Sequence, residues 1–338
     1  MANSWHTRFV TTRTPLRVSF AGGGTDIPSF YENDAAGGAV LSTAINRCLY
    51  VTVKAHDPLF GEKYRVSYSV TEHVQNLDDL KNEIARECLR LVPVSGPAYV
   101  SVIADLPAYS GLGSSSAFAV GLLNALHAFR HDPASPVQLA EEAAHIEIKV
   151  LKRPIGKQDH YAAAFGGMSY YRFLPGGQVV IEPSVSDGAR LENLFDHFML
   201  FWTGIQRDST RVLGEMQGNI SNKHGELTAM RDLAAKLHRV VLETGDIAAF
   251  GRIIGQNWEL KRGLASTITN PQIDGWYYQG IEAGAIGGKL CGAGGGGFLL
   301  FVVPPARQAN VVQALRELTH IQFSFEPHGS HIVMNSGG

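Results

Sequence analysis

A run of six residues, Gly-Leu-Gly-Ser-Ser-Ser at 111–116 and small except for Leu112, leads from a predicted strand into a helix that is apolar nearly all round. The first turn of a buried helix presents backbone N–H groups without intrahelical partners and the positive end of the helix dipole, which together favour an anion. Glycine allows close approach of a phosphate, and serine hydroxyls can donate hydrogen bonds or bind Mg²⁺. One serine alone would be explained as an N-cap. The whole run predicts a phosphate-binding loop formed by Gly111, Leu112, Gly113, Ser114, Ser115 and Ser116.

Two further glycine clusters flank this loop in the sequence, at 22–24 in RVSFAGGGTD and at 292–297 in CGAGGGGFLLFVV. The central loop is not a Walker A motif, because no Lys-Ser/Thr pair follows its glycines. The C-terminal cluster contains G-x-G-x-x-G, but it runs into an apolar strand, whereas a dinucleotide-binding fingerprint follows a strand and opens a helix. A nicotinamide-dependent oxidoreductase is therefore disfavoured. We expect the C-terminal cluster to pack beside the phosphate loop; a turn that only lets backbones pack is the alternative.

The three clusters, in this order, resemble the motifs of the GHMP kinase superfamily, which includes galactokinase, homoserine kinase, mevalonate kinase and phosphomevalonate kinase. TPLRVSFAGGGTD is similar to its first motif, LPAYSGLGSSSA to its central phosphate loop and GGKLCGAGGGGF to its third, so the resemblance spans residues 14–298. It implies an α+β, two-lobed GHMP kinase fold with the active site between the lobes. The strand-rich N-terminal lobe would occupy 1–190 and a ferredoxin-like α/β-sandwich C-terminal lobe 191–338. The resemblance also implies a small-molecule kinase that uses ATP and Mg²⁺.

The resemblance assigns roles to four side chains. Glu147 lies twelve positions before Asp159 (159 − 147), as do the Mg²⁺-binding glutamate and the catalytic aspartate of galactokinases. Ser115 matches the serine that helps to hold Mg²⁺. Arg17 lies nine positions before Asp26 (26 − 17), the galactokinase spacing between an arginine near the base and a sugar-binding aspartate. Asp159 would take the proton of the attacking hydroxyl, and Arg17 would orient Asp159 and offset charge on the transferred phosphoryl group. Taken alone, Glu147 could be a surface residue and Arg17 the partner of a structural acid.

The first motif also bears on the substrate. Galactokinases carry Gly-Glu-His-Thr-Asp where this chain has Gly-Gly-Gly-Thr-Asp at 22–26, so the Glu and His that contact galactose are missing. The form with three glycines resembles the D-glycero-D-manno-heptose 7-phosphate kinase subgroup, as do WTGIQRDST and NWELKRGLASTITNPQID. The resemblance implies a sugar phosphate as partner, phosphorylated on its anomeric hydroxyl; a fucokinase-like enzyme and a non-catalytic sensor of sugar and ATP are the alternatives. The implied substrate contacts are Gly23, Gly24, Thr25, Asp26, Gly294 and Gly295.

A substrate that already carries a phosphate requires cationic side chains around that group. The first candidates are Arg207, Arg211, Lys261 and Arg262, and the second are Lys152, Arg153 and Lys157. Each of them, taken singly, is better explained as a solvated surface charge. The hypothesis rests on two basic pairs that flank apolar helices of the second half.

Composition limits the other functions. Of 338 residues, 45% are apolar and 18% charged, which suits a large core divided into two lobes. The net charge of −2, with no long run of one sign, argues against a nucleic-acid partner. The apolar runs are too short for a membrane span, the N-terminal segment lacks the apolar core of a signal peptide, and the three scattered cysteines suit a reducing compartment. We therefore expect a cytoplasmic monomer or homodimer without nucleic-acid or membrane partners.

Hydrophobic periodicity predicts the elements that must position these residues. The first half is predicted to form strands at 8–20, 44–55, 63–70 and 99–104, helices at 114–129 and 135–152, and a hairpin of 170–174 with 178–182. The second half is predicted to form strands at 197–202, 298–303 and 321–325 and helices within 209–244, 246–261, 273–283 and 306–318. This closing order favours an α+β sandwich with antiparallel pairing over an alternating parallel sheet.

Overall fold

The computed structural model describes residues 8–184, 188–206 and 209–336. Its strands are β1 Phe9–Ala21, β2 Gly38–Ala55, β3 Tyr64–Ser67, β4 Thr71–Val74, β5 Ala98–Ala104, β6 Met168–Phe173, β7 Val179–Pro183, β8 Phe198–Trp202, β9 Gly287–Leu290, β10 Phe298–Val302, β11 Thr319–Ile321 and β12 His331–Ser336. Its α-helices are α1 Pro28–Tyr31, α2 Glu83–Leu91, α3 Ser114–Phe129, α4 Pro136–Ala144, α5 Gln158–Phe165, α6 Gly188–Phe195, α7 Ser209–Asn219, α8 His224–Arg239, α9 Ile247–Arg262, α10 Pro271–Glu282 and α11 Gln308–Ala314. π-Helical turns at His145–Val150 and Val240–Thr244 extend α4 and α8.

The first sheet has eight strands in the order β12-β1-β2-β5-β3-β4, with β6 paired to β2 and β7 to β6. All its pairs are antiparallel except the one between β3 and β5. The 18-residue strand β2 pairs with β6 along its first part and with β5 along its last part. Strand β1 pairs with β2 inside the sheet, so Arg17 near its C-terminal end and the glycine loop after it project from the middle of the sheet.

The second sheet has four antiparallel strands in the order β11-β8-β10-β9. Helices α9 and α10 pack on it, with Gly251 and Gly280 allowing close approach, since a Cβ at either position would lie 2.6–2.8 Å from side chains at 286 and 301. The two sheets with their helices confirm an α+β protein with an N-terminal and a C-terminal lobe. The last strand, β12, returns to the first sheet and pairs with β1. A single boundary between residues 190 and 191 therefore leaves β12 in the sequence of one lobe and in the sheet of the other.

Helix α3 is the buried centre of the N-terminal lobe. Every residue from Ser116 to Phe129 is buried, and the helix packs on β1, β2 and α5. Gly121 lets α3 approach β1, because a Cβ there would lie 2.6 Å from the hydroxyl oxygen of Thr14. The nearly uniform apolar character that predicted a buried helix over 114–129 is thus explained by neighbours on several sides.

Several elements differ from the sequence predictions. The predicted helix 135–152 is α4 followed by a π-helical turn, and the helical stretch 209–244 is divided into α7 and α8. Helices α1, α2, α5 and α6 and strands β4, β9 and β12 have no counterpart in the predictions. Strand β9 lies in a glycine-containing segment, where the propensity for a strand is low. None of the helices in the described ranges combines the length and the apolar character that a bilayer crossing requires.

Candidate active site

The predicted phosphate loop leads into α3 without a side-chain cap. Gly113, in the left-handed conformation (φ 78°), is the N-cap residue, and its carbonyl accepts the first helical hydrogen bond, from Ala117 N at 2.9 Å. Glycine has no side chain to accept from the first-turn N–H groups, so these donors remain available to an anion. Gly111 is also left-handed (φ 81°). Their backbone conformation thus favours glycine at both positions, whether or not a ligand binds there.

Arg17 and Asp159 form a bidentate ion pair beside this loop. The Arg17 Nε and Nη2 atoms donate to Asp159 Oδ1 and Oδ2, each at 2.6 Å, and Nη1 donates to the carbonyl of Gly111 at 2.8 Å. The side chains are 6% and 22% exposed, so Asp159 retains access to solvent and to a substrate. A Cβ at Gly113 would lie 3.3 Å from both Arg17 Cγ and Asp159 Oδ2. Two residues 142 positions apart are thus fixed against the phosphate loop, as the sequence predicted for Arg17.

Asp159 lies in the first turn of α5, and Asp26 holds the start of that helix. Asp26 Oδ2 accepts from the backbone N of Gln158 at 3.1 Å, and Oδ1 accepts from Gln158 Nε2 at 3.1 Å and from Gly24 N at 3.0 Å. Burial, together with the charge of Asp159, raises the pKa of Asp26. Asp26 is 2% exposed, and its contacts join the first glycine loop to the helix that carries Asp159.

Glu147 lies in the π-helical turn and is fully buried. Its Oε1 accepts from Ser115 Oγ at 2.5 Å and from Arg153 Nη1 at 2.8 Å; its Oε2 accepts from Ser116 Oγ at 3.0 Å and lies 2.9 Å from His160 Nε2. Burial acts to raise the pKa of Glu147, but the hydrogen bond and charge of His160, the hydroxyl of Ser115 and the charge of Arg153 outweigh it and lower the pKa to about 2. π-Helical turns within α-helices are frequent at functional sites.

Glu147 and Ser115 offer the hard oxygen donors that Mg²⁺ prefers, and Ser115 is exposed while Glu147 is held ionised. In the described ranges no cluster of three or more His, Cys, Asp or Glu side chains is arranged to hold a metal ion. This donor set fits Mg²⁺, which usually takes only one or two carboxylates from a protein and completes its shell with substrate phosphates and water.

The first glycine loop differs from the prediction at Thr25. The Thr25 hydroxyl donates to the carbonyls of Gly22 and Ala39, at 2.8 and 2.9 Å, and accepts from Ala39 N at 2.9 Å, and the residue is fully buried. Thr25 therefore closes the loop and does not present its hydroxyl to a sugar. Gly22 is also structural, because it is left-handed (φ 86°) and a Cβ would lie 1.9 Å from the Ala39 carbonyl oxygen.

Gly23 and Gly24 have different surroundings. Gly24 has a φ of 106°, which alone favours glycine, and it contacts the Met216 side chain of the C-terminal lobe. A Cβ on Gly23 would come no closer than 3.6 Å to Gln158 Nε2 and 3.8 Å to Ser19 Oγ. Gly23 is thus the loop position whose missing side chain leaves space, and the prediction that it contacts the sugar remains open.

The C-terminal glycine cluster meets the phosphate loop through residues other than those predicted to touch the ligand. A Cβ on Gly292 would lie 2.5 Å from Gly111 Cα, and one on Gly297 would lie 2.4 Å from the Ser110 carbonyl oxygen. Gly294 and Gly295 instead pack on Ile268 of their own lobe; Gly295 N donates to the Ile268 carbonyl at 2.7 Å. The cluster therefore lies beside the phosphate loop as predicted, but the contact runs through its two ends.

Among the basic candidates, Arg207 lies outside the described residues. Lys261 is 4% exposed and its Nζ donates to the carbonyl of Gly292, beside the phosphate loop. Burial, with the nearby charge of Arg17, lowers the pKa of Lys261 to about 8. Lys261 thus lies beside the phosphate loop and interacts electrostatically with Arg17 and Asp159, whereas the prediction assigned it to the distal phosphate of the substrate.

The other basic candidates do not converge on one pocket. Arg262 pairs with Asp274 and Lys157 with Glu141. Arg211 and Lys152 are exposed, and Arg153 contacts Glu147 as described above. Three of the six described candidates, Arg153, Lys157 and Arg262, pair with acids of their own neighbourhood, and the pocket for a substrate phosphate stays a prediction.

Two buried residues of the C-terminal lobe were missed by the sequence reasoning. Lys289 Nζ, fully buried on β9, donates to the carbonyl of Ser19, and Asn257 Oδ1 accepts from Gly22 N at 3.1 Å. Burial lowers the pKa of Lys289 well below its usual value. Both residues tie the C-terminal lobe to the end of β1. The lysine in GGKLC, a charge inside an otherwise apolar and glycine-rich run, was the signal that could have identified it.

Comparisons with known proteins agree with this geometry. Residues 77–167 match the GHMP kinases N terminal domain and residues 233–320 match GHMP kinases C terminal. The chain is 30% identical over 335 residues to D-glycero-alpha-D-manno-heptose 7-phosphate kinase of Campylobacter jejuni, covering 95% of this chain and 97% of that one. It is 26% identical over 344 residues to L-fucokinase/L-fucose-1-P guanylyltransferase of Bacteroides fragilis, covering 89% of this chain and 35% of that one.

The solved structure of a D-glycero-D-manno-heptose 1-phosphate kinase from Bacteroides thetaiotaomicron has a TM-score of 0.77 and 26% identity to this chain, covering 96% of this chain and 99% of that one. Both family domains are present in order, and the residues of the three motifs meet at one site between the lobes. The chain is therefore an enzyme of the GHMP kinase family.

Proposed function

We propose that the protein is an ATP-dependent sugar kinase that phosphorylates the anomeric hydroxyl of a heptose 7-phosphate. D-glycero-D-manno-heptose 7-phosphate would give the 1,7-bisphosphate, as a step toward nucleotide-activated heptose for lipopolysaccharide or capsule. The observation that carries the chemistry is the bidentate Arg17–Asp159 pair held against the uncapped N-terminus of α3. The heptose kinase named among the relatives supports the choice of substrate.

Phosphoryl transfer requires mainly positioning and neutralisation of charge. The backbone of 111–116 would receive the β- and γ-phosphates at the N-terminus of α3. Asp159 would accept the proton of the anomeric hydroxyl while the oxygen of that hydroxyl bonds to the γ-phosphorus. At the same time the bond between that phosphorus and the bridging oxygen of ADP would break. The anomeric hydroxyl is the most acidic hydroxyl of a sugar, so a carboxylate is an adequate base.

Arg17 would keep both oxygens of Asp159 in place and link them to the loop through the Gly111 carbonyl. The ammonium group of Lys261, buried near the same pair, would add positive charge where negative charge accumulates. Mg²⁺ bound by Ser115 and Glu147 would neutralise phosphate oxygens. Gly23 would leave room for the substrate where a bulkier residue would restrict it.

The test is an assay of ADP release with ATP and Mg²⁺ on a panel of D-glycero-D-manno-heptose 7-phosphate, fucose, mannose and galactose. We expect the heptose phosphate to have the highest kcat/KM, and phosphorus NMR to show the new phosphate on the anomeric carbon. Preference for fucose would favour a fucokinase-like enzyme. Binding of sugar and ATP without turnover would favour a sensor and contradict the proposal.

D159N tests the base within the same assay. General base catalysis contributes roughly 10²- to 10⁴-fold, so we expect a loss of that size in kcat with nucleotide binding retained. Unchanged turnover would exclude Asp159 as the base, whichever sugar is preferred.

A further inference from the structure

The four donors around Glu147 differ in how easily they can be displaced. Ser116 and His160 are 3% and 0% exposed and lie inside the lobe, and Ser115 is itself a proposed ligand of Mg²⁺. Arg153 is a long side chain, 29% exposed, whose Nη1 donates to Glu147 Oε1 at 2.8 Å and to Ser115 Oγ at 2.9 Å. A cation that binds these two oxygens must therefore displace Arg153.

Arg153 has a second carboxylate within reach. Its Nη2 lies 3.5 Å from Glu83 Oε2 on α2, and the Glu83 side chain is 53% exposed. The backbone N of Arg153 donates to the Glu147 carbonyl at 2.9 Å, which fixes the base of the side chain. Rotation of the side chain alone can thus remove the guanidinium from Glu147 and leave it paired with Glu83.

We propose that Arg153 is an exchangeable counter-ion of Glu147, which leaves the Glu147–Ser115 pair when Mg²⁺ binds there. The inference rests on the metal role assigned to these two residues in the proposed function. A buried carboxylate without an opposite charge is costly, so Arg153, together with His160 on the other carboxylate oxygen, keeps Glu147 compensated before the metal arrives. The same contact weakens metal binding to the nucleotide-free enzyme, so that the cation binds productively together with the phosphates that supply its other ligands.

The experiment measures the affinity of Mn²⁺, a paramagnetic substitute for Mg²⁺, for the nucleotide-free full-length chain by electron paramagnetic resonance of the free ion. R153Q removes the competing charge and R153K keeps it. K149Q, an exposed lysine of the same π-helical turn, is the matched control for the loss of one positive charge. E147Q removes the negative charge of the proposed metal ligand and leaves a weaker, neutral oxygen in its place.

We expect R153Q to bind Mn²⁺ on the order of tenfold more tightly than the wild type, because a charge-assisted contact no longer has to be broken. R153K should fall between the two and K149Q should match the wild type. The rise in melting temperature on adding Mg²⁺ should likewise be larger in R153Q, which gives a second readout that does not depend on turnover.

Equal or weaker Mn²⁺ binding by R153Q would overturn the inference, and so would an equal gain in K149Q, which would indicate a general charge effect. If E147Q loses Mn²⁺ binding while R153Q is unchanged, only the role of Arg153 fails. If E147Q binds Mn²⁺ as the wild type does, the metal site of the proposed function fails as well.

Discussion

Substituting Arg17 by lysine tests whether the ion pair organises catalysis. Arg17 makes three side-chain hydrogen bonds, two to Asp159 and one to the Gly111 carbonyl. Lysine keeps the positive charge but cannot reproduce the planar fork that engages both carboxylate oxygens. Loss of one preorganised interaction of this kind costs about 3–4 kcal/mol in the transition state. We therefore expect kcat of R17K to fall roughly 10²- to 10³-fold.

The matched control is R13K on the same strand. Arg13 pairs with Glu326 at 2.6 Å, with side-chain exposures of 22% and 7%, and neither residue contacts the phosphate loop. Both variants lose an arginine–carboxylate pair, so both should lose a comparable ~1–2 kcal/mol of stability by urea unfolding. Only R17K should lose turnover in the ADP-release assay.

A double-mutant cycle with D159N separates two possible actions of Arg17. If Arg17 acts through Asp159, R17K should reduce kcat less than about threefold in the D159N background, because the partner to be oriented is already changed. Additive losses would refute this and indicate that Arg17 acts on the phosphates directly. A kcat of R17K within threefold of the wild type would refute the importance of the pair altogether.

Three further changes have defined outcomes. G23A should keep its melting temperature within a few degrees but raise KM for the sugar more than KM for ATP, and equal effects on both KM values would contradict the sugar contact. G22A, the control, should be destabilised by several kcal/mol because its Cβ would clash with the Ala39 carbonyl. H160L should lower the unfolding free energy by about 1–3 kcal/mol in urea titrations by removing a donor to a buried carboxylate, and H160Q should recover part of this; equal stability of the two would contradict the hydrogen bond. K261M tests the pH dependence of stability. The pKa of Lys261 is about 8 in the folded protein and 10.5 for the free side chain, so between these pH values the unfolded chain holds the extra proton and the wild type gains about 3 kcal/mol of unfolding free energy as the pH rises. K261M should lack this gain, whereas K236M, the control at an exposed site, should follow the wild type in urea titrations at each pH.

The sequence predicted the elements whose signals are local. Periodicity gave β1, β5, α3, the β6–β7 hairpin and β10 with bounds close to those observed. It failed for α5, a short helix whose start is held by Asp26 from a segment 132 residues away, and for β12, whose pairing with β1 is decided by the whole first sheet. Local propensity carries little information when the partner that stabilises an element is distant in the chain.

The prediction of phosphoryl transfer came from the sequence: the run at 111–116 indicated a phosphate-binding loop, and the resemblance of the three glycine motifs to a kinase family assigned roles to Glu147 and Asp159. The tertiary structure decided where the side chains lie and what they contact. It turned the Thr25 hydroxyl inward, set Gly292 and Gly297 against the phosphate loop, and placed the Lys261 ammonium group on the Gly292 carbonyl. It also placed Arg153 on the proposed metal ligands. The physical reason is that neighbouring residues specify the backbone only where an element's signal is local, whereas the direction, burial and charge environment of a side chain are fixed by segments packed from elsewhere in the chain.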